Sequence, residues 1–110
     1  MGDPTVSDII EHKLIKKIAE RPDLSEKIDG LYQFVITGDN GGQWILDFRG
    51  KSFKLSKGSC ESPDCIFTTS DVNLIHVFTG KINPVVAFLT GKIKFTNLQY
   101  ASKLKPFFTD

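Results

Sequence analysis

The sequence lacks the features that would place it in several common classes of protein. Its 110 residues carry two cysteines and a formal net charge of +1. No window approaches the run of about 18 apolar residues that a membrane-spanning helix needs. Broad nucleic-acid binding requires a strong basic excess, so that class is excluded. Cys60 and Cys65 are too few for a disulfide framework, and we expect two reduced thiols and no metal site.

Targeting signals are also missing from the two ends of the sequence. The start, MGDPTVSDII, has neither a basic segment nor a long apolar run and does not predict a signal peptide. Val6 stands where a myristoylation motif requires Ser or Thr. The last residues, FFTD, carry no peroxisomal signal. We therefore expect a cytoplasmic protein, and the length predicts a single domain over residues 1–110 with one modest core.

The chain does have clear periodicity in its apolar residues, which include nine phenylalanines. Apolar residues recur at helical spacing across residues 5–20 and predict an amphipathic helix. Asp3 or Thr5 is expected to cap this helix, with Pro4 in its first turn. Pro22 is expected to end it.

Five later segments alternate between apolar and polar residues, the pattern of strands with one buried face. They are LYQFVIT from Leu31, QWILDFR from Gln43, the residues around Phe53 and Leu55, CIFTT from Cys65, and KIKFT from Lys92. The apolar face needs a helical cover, for which the sequence offers a short helix capped by Asp71 and an amphipathic turn over residues 98–104. The prediction is an α+β fold with a five-stranded mixed sheet, one face of which is covered by helices.

The phrase TGKI occurs twice, at residues 79–82 and 90–93. Gly is the usual residue just past a helix end, and Asn83 and Pro84 suit the cap and first position of a new helix. The phrase therefore predicts two successive helix ends, with VVAFL forming one or two buried turns between them. A phosphate-binding loop would need Ser or Thr after GK, where Ile82 and Ile93 stand instead.

With its flanks, this stretch resembles the sterol carrier protein type-2 domain family. The strongest likeness is the phrase of residues 79–94, in which TGK-x-NP opens a helix and GK closes it before a hydrophobic residue and a Lys. Residues 44–47, WILD, resemble a family strand that ends in an acidic residue. Residues 65–70 resemble the strand before the family's short helix, and residues 101–104 its C-terminal helix. The order of elements agrees over about residues 6–108.

The resemblance implies an apolar tunnel between the sheet and its helices. Such a tunnel would shield a fatty acid, an acyl-CoA or a sterol from water, and it would use no cofactor. Candidate lining residues come from the aromatic sheet face, the first helix, the short helix and the C-terminus. They are Ile15, Ile18, Phe34, Leu46, Phe48, Phe67, Leu74, Val77, Phe78, Leu104 and Phe107. The alternative for the same side chains is ordinary core packing.

Several charged residues have two interpretations. Arg21 and Lys27 are candidates for contact with a carboxylate or phosphate head group, or they are simply solvated. Lysines on the strands' polar side suit either transient contact with an anionic membrane or plain solvent exposure; they are Lys51, Lys54, Lys57, Lys92 and Lys94.

No enzyme activity is predicted. His12 and His76 have neither a nucleophile nor a carboxylate at an informative spacing. The leading hypothesis is intracellular lipid binding and transfer. The second hypothesis is an accessory or oligomerisation module of a larger enzyme or membrane-associated protein, and a homodimer fits that second reading.

Overall fold

The computed structural model describes residues 4–104, apart from the side chain of Lys51. Asp3 and Phe107, which carry two of the predictions above, lie outside these residues. Among the described helices, none combines the length and the hydropathy that crossing a bilayer requires.

The first helix, α1, covers residues 6–20 and contains a π-helical stretch. It runs as α-helix over Val6–Asp8, π-helix over Ile9–Lys13 and α-helix over Leu14–Glu20. The hydroxyl of Thr5 accepts the N–H of Asp8 at 3.0 Å, and the Asp8 carboxylate accepts the N–H of Thr5 at 3.3 Å. This capping box confirms Thr5 as the cap. Pro4 therefore precedes the cap, and its predicted place in the first turn is wrong.

Five strands form one open sheet in the order β3-β2-β1-β4-β5. Their bounds are β1 Leu31–Thr37, β2 Gly42–Asp47, β3 Lys54–Lys57, β4 Cys65–Ser70 and β5 Ile93–Phe95. β1 pairs with β4 in parallel, and the other neighbouring pairs are antiparallel. The predicted mixed sheet is confirmed.

The register brings the aromatic residues of the sheet onto one face. Phe34 lies opposite Trp44 on β2 and opposite Phe67 on β4, and Phe67 lies opposite Phe95 on β5. Phe34, Trp44 and Phe67 are buried, whereas Lys94, on the other face of β5, is exposed. The core therefore sits on the aromatic side of the sheet, as the alternation predicted.

Four further α-helices follow α1 within residues 4–104: α2 Asp23–Ile28, α3 Asp71–Phe78, α4 Pro84–Leu89 and α5 Leu98–Lys103. A 3-10 helix at Arg49–Lys51 links β2 to β3. α3 contacts β1 and β4, α4 contacts β5, and α5 contacts β4. Ser70 caps α3, with its hydroxyl accepting the N–H of Asn73 at 3.1 Å, so the predicted Asp71 cap is wrong. The Asp71 carboxylate instead accepts the N–H of Asn40, which ties the β1–β2 turn to the start of α3.

The two TGKI phrases end α3 and α4, as predicted. Thr79 and Thr90 are the C-caps, and Gly80 and Gly91 follow with φ of 83° and 79°. These are left-handed conformations that favour glycine.

The predicted burial of VVAFL is wrong. Of residues 85–89, only Ala87 is buried, while Val85, Val86 and Leu89 are 48%, 51% and 75% exposed. One side of a short helix lies against the protein, and no further element covers the other side within the described residues.

Candidate functional site

An apolar cavity of about 230 Å³ opens between α4, β5 and α5 on the aromatic side of the sheet. The side chains and backbone that line it are Phe67 of β4, Pro84, Val85 and Phe88 of α4, Ile93 and Phe95 of β5, Leu98, Ala101 and Ser102 of α5, and Leu104 just after α5. The cavity therefore lies where the sheet edge meets the two short helices.

A row of aromatic rings connects this cavity with the interior of the protein. Phe34 and Phe67 stack at 4.5 Å between ring centroids, and Phe67 meets Phe95 edge-on at 5.1 Å. Phe95 in turn lies 5.7 Å from Phe88 of α4. Phe34, at one end of the row, is buried in the core, and Phe95 and Phe88, at the other end, line the cavity.

Among the described residues, those that line the cavity include no titratable side chain, and Ser102 carries their only side-chain hydroxyl. That hydroxyl donates to the carbonyl oxygen of Leu98 at 3.0 Å, one turn back in α5. The cavity thus presents hydrocarbon and aromatic surface to a guest. Such a lining binds apolar groups by excluding water. Within residues 4–104 no cluster of metal-ligating side chains occurs either.

α5 is held against the core by a buried tyrosine. The hydroxyl of Tyr32 lies 3.1 Å from the carbonyl oxygens of both Ile28 in α2 and Tyr100 in α5, so it donates to this pair. Burial raises the pKa of the Tyr32 hydroxyl. The ring of Tyr100 packs over Gly30, where a Cβ would lie only 2.7 Å from the ring. Glycine at this position allows α5 to approach closely.

Two of the predicted lining residues, Phe67 and Leu104, line this cavity. Five others are buried in the core and do not line it: Phe34, Leu46, Phe48, Leu74 and Val77. The ring of Phe48, for example, packs edge-on to Tyr32 at 5.8 Å. These five side chains belong to the hydrophobic core, and their contact with a ligand stays a prediction.

The remaining lining candidates lie elsewhere. Ile18 and Phe78 are half-buried and pack against the core. Ile15 is 41% exposed on α1. Their contact with a ligand stays a prediction, as does that of Phe107.

The two head-group candidates converge on one carboxylate at the corner between α1 and α2. Arg21 and Lys27 each lie 3.1 Å from the Asp23 carboxylate. The hydrogen bond from Arg21, and then that from Lys27, lowers the pKa of Asp23. Neither cation lines the cavity. A role in head-group binding stays a prediction.

Cys60 and Cys65 are free, and burial raises the pKa of the Cys65 thiol. Lys54, Lys92 and Lys94 are exposed.

Sequence reasoning missed the cavity walls given by Val85, Phe88 and Phe95. Phe95 was assigned only to the apolar face of a strand, and residues 85–89 were read as a buried turn. The available signal was an Asn-Pro cap followed by five consecutive apolar residues. A helix this short cannot bury apolar side chains on all of its sides, so some of them must remain exposed.

Comparison with known proteins agrees with this fold. The family model described as "SCP-2 sterol transfer family" matches residues 11–109. The chain belongs to that family.

The relatives include a sterol carrier protein and a dehydrogenase-like protein, and both are longer than this chain. Sterol carrier protein 2 of Oryctolagus cuniculus is 31% identical over 94% of this chain and 20% of its own length. Hydroxysteroid dehydrogenase-like protein 2 of Bos taurus is 32% identical over 76% of this chain and 20% of its own. The solution structure of palmitated SCP2L2 from Aedes aegypti superposes with a TM-score of 0.78 at 27% identity, covering 97% of this chain and 96% of that one. The chain thus spans about one fifth of the length of these curated relatives.

Proposed function

We propose that this protein binds one lipid in the cavity between α4, β5 and α5 and transfers it between membranes. The observation that carries the proposal is a cavity walled by apolar side chains, with no charged group in its lining. Family membership and the palmitated state of SCP2L2 support a fatty acid, an acyl-CoA or a sterol as the guest. We propose no catalysis and no cofactor, a cytoplasmic location, and a single domain over residues 1–110.

The energetics favour a lipid guest. A ligand that buries roughly ten CH₂ groups gains about 8 kcal/mol gross, at about 0.8 kcal/mol each. About 8 kcal/mol corresponds to a Kd of about 1 μM, and association and ordering costs remove several kcal/mol of it, so micromolar binding requires a guest that buries more than about ten CH₂ groups. A bound lipid therefore raises the melting temperature of the protein.

The cavity must enlarge to accommodate a whole lipid. Its volume of about 230 Å³ is below the roughly 300–1,000 Å³ of typical ligand sites. We propose that α4 moves outward, because Ala87 is its only buried residue. Such a movement would separate Phe88 of α4 from Phe95 of β5, whose ring centroids now lie 5.7 Å apart, and so enlarge the cavity.

Uptake of a fluorescent fatty acid by the purified protein tests the proposal. We expect saturable binding with one ligand per chain. Ala101 lines the cavity, so Ala101→Phe should fill it and weaken uptake at least about ten-fold. Ala19→Phe on the exposed face of α1 is the matched control and should leave uptake unchanged. Absence of saturable uptake, in protein that unfolds cooperatively in urea, would overturn the carrier function.

A second function is favoured by one observation. The match to hydroxysteroid dehydrogenase-like protein 2 spans 20% of that protein, so the same kind of domain occurs within a larger chain. We propose as the alternative that this domain is an accessory or oligomerisation module. Native mass spectrometry separates the two: a bound mass of a few hundred daltons supports the carrier, whereas a ligand-free homodimer supports the module.

A further inference from the structure

The cavity between α4, β5 and α5 has an enclosed end and an open end. Three of its lining residues, Phe67, Ile93 and Leu104, are buried, with exposures of 0%, 3% and 1%. Two others, Val85 of α4 and Leu98 of α5, are 48% and 60% exposed. A side chain that both lines a cavity and faces solvent lies at its opening. Val85 and Leu98 therefore mark the mouth, and the three buried residues mark the enclosed end.

The two ends differ in what they offer to a polar group. The side chains of the enclosed end are aromatic or aliphatic, so they can neither donate a hydrogen bond nor balance a charge. Ser102, which carries the only hydroxyl among the described lining side chains, is exposed and thus belongs to the mouth. A carboxylate at the enclosed end would lose its water without gaining a side-chain partner, whereas a carboxylate at the mouth keeps its hydration.

Protonation of the head group does not remove this difference. A carboxylic acid with a pKa of about 4.3, the ordinary value for a Glu side chain, carries its proton in only about one molecule in a thousand at pH 7.4. Burying the head group as a neutral acid therefore weakens binding about 1,000-fold, before the loss of its hydrogen bonds with water is counted. The methyl end of the chain meets no such cost, because burial of hydrocarbon is favourable.

The volume of the cavity indicates that part of a chain fills it. An apolar cavity of about 150 Å³ binds benzene, which has about six carbon atoms' worth of volume. In proportion, the volume of about 230 Å³ holds about nine carbon atoms. The remaining carbons of a longer chain therefore lie toward the mouth, on the side where α4 would move outward.

We propose that a linear acyl chain enters this cavity methyl end first and leaves its head group in solvent at the mouth. The last carbons of the chain then lie against Phe67, Ile93 and Leu104. The head group lies beyond Val85 and Leu98, close to Ser102. The proposal rests on the carrier function and adds to it the orientation of the ligand. Because the head group stays hydrated, its chemistry contributes little to affinity.

Competition against a fluorescent fatty acid at pH 7.4 tests the orientation in the purified protein. We expect 1-dodecanol and dodecanoic acid to compete equally, within about three-fold, because they share the part that is buried. Dodecanedioic acid carries a carboxylate at both ends, so whichever end enters must be buried. We expect it to compete at least about 100-fold more weakly than dodecanoic acid. A ligand that entered with its head group first would show no such loss, since its second carboxylate would lie in solvent.

A charge placed at the mouth gives an independent measurement. Ser102→Lys adds a cation, and Ser102→Glu an anion, at an exposed residue beside the expected head group. The ratio of the affinities for dodecanoic acid and 1-dodecanol should rise about two- to five-fold with lysine and fall by a similar factor with glutamate. Ser56→Lys is the matched control, because Ser56 is exposed on β3 and follows Leu55, which packs against the core from the opposite face. It should leave the ratio unchanged.

Contrary results separate the orientation from the carrier function. Equal competition by the mono- and dicarboxylic acids would overturn the orientation. So would a ratio that Ser102→Lys and Ser102→Glu shift in the same direction, or not at all. Weaker binding of dodecanoic acid by Arg21→Gln with Lys27→Gln would overturn it as well, by placing the head group at the corner between α1 and α2. In all these cases saturable binding of dodecanoic acid leaves the carrier function standing, whereas no binding of any of these chains by the folded protein would overturn both.

Discussion

α3 and α4 are successive helices with nearly identical ends and opposite environments. Each begins at a polar N-cap, Ser70 or Asn83, and each ends at TGKI. The hydroxyl of Thr79 donates to the carbonyl oxygen of Ile75 at 2.7 Å, and that of Thr90 donates to Val86 at 2.8 Å. Local chemistry therefore starts and stops the two helices in the same way.

The difference lies in what each helix buries. α3 places Leu74 and Val77 in the core, where they are 1% and 3% exposed. α4 buries Ala87 alone. Exposed apolar surface of this kind marks interaction sites in many proteins. The comparison shows that α3 contributes side chains to the core, whereas most apolar side chains of α4 are left uncovered by the described residues.

The largest effect that separates the two helices is expected from leucine truncation. Leu74→Ala removes a buried side chain and should lower the free energy of unfolding by about 2–4 kcal/mol. Leu89→Ala in α4 should change it by less than about 0.5 kcal/mol, because that side chain is 75% exposed. Urea unfolding followed by circular dichroism measures both. Similar losses in the two variants would show that α4 belongs to the stable core.

Features set by local chemistry were the ones that sequence could predict. The strands follow from alternation of apolar and polar residues, as in Tyr32, Phe34 and Ile36, all of which are buried. The helix ends follow from Gly80 and Gly91, whose positive φ angles favour glycine. These signals act within a few residues, so no knowledge of the tertiary structure was needed.

Features set by the distance between elements were not predictable in the same way. Alternation places Phe48 and Phe67 on one face of the sheet, yet only Phe67 reaches the cavity. Whether a side chain lines a gap or fills it depends on how closely the helix above approaches. The five apolar residues of VVAFL likewise did not reveal that α4 lies at the edge of the protein.

The second effect tests whether α5, which lines the cavity, is held as firmly against the core as α3 or as loosely as α4. Tyr32→Phe removes the hydroxyl that donates to Ile28 and Tyr100. It should lower the free energy of unfolding by about 1–2 kcal/mol, since buried carbonyl oxygens lose their donor. Hydrogen exchange should quicken in α5 more than in α3. Unchanged exchange in α5 would mean that other contacts fix it.

The stability of the Tyr32→Phe variant should also depend on pH differently from that of the parent protein. Burial raises the pKa of Tyr32 above its ordinary value of 10.0, so the folded state keeps a proton that the unfolded state releases. The stability from this residue is complete below about pH 10 and declines as the pH rises beyond it. Tyr32→Phe should therefore lose less stability than the parent between about pH 9 and 11. Parallel losses in the two proteins would contradict a buried, protonated hydroxyl.

The smallest expected effect comes from removing the N-cap side chains of α3 and α4. Both side chains accept a backbone N–H with an oxygen atom. Ser70 accepts the N–H of Asn73 at 3.1 Å, and Asn83 accepts that of Val85 at 2.8 Å. Loss of either side chain should cost its own helix about 1 kcal/mol. Ser70→Ala should lower the global free energy of unfolding by that amount, because the core requires α3. Asn83→Ala should instead quicken hydrogen exchange within α4 and change global stability by less than about 0.5 kcal/mol, because α4 opens without exposing Leu74 or Val77. A full global loss on Asn83→Ala would mean that α4 unfolds only with the whole protein, and it could then not move outward to admit a ligand.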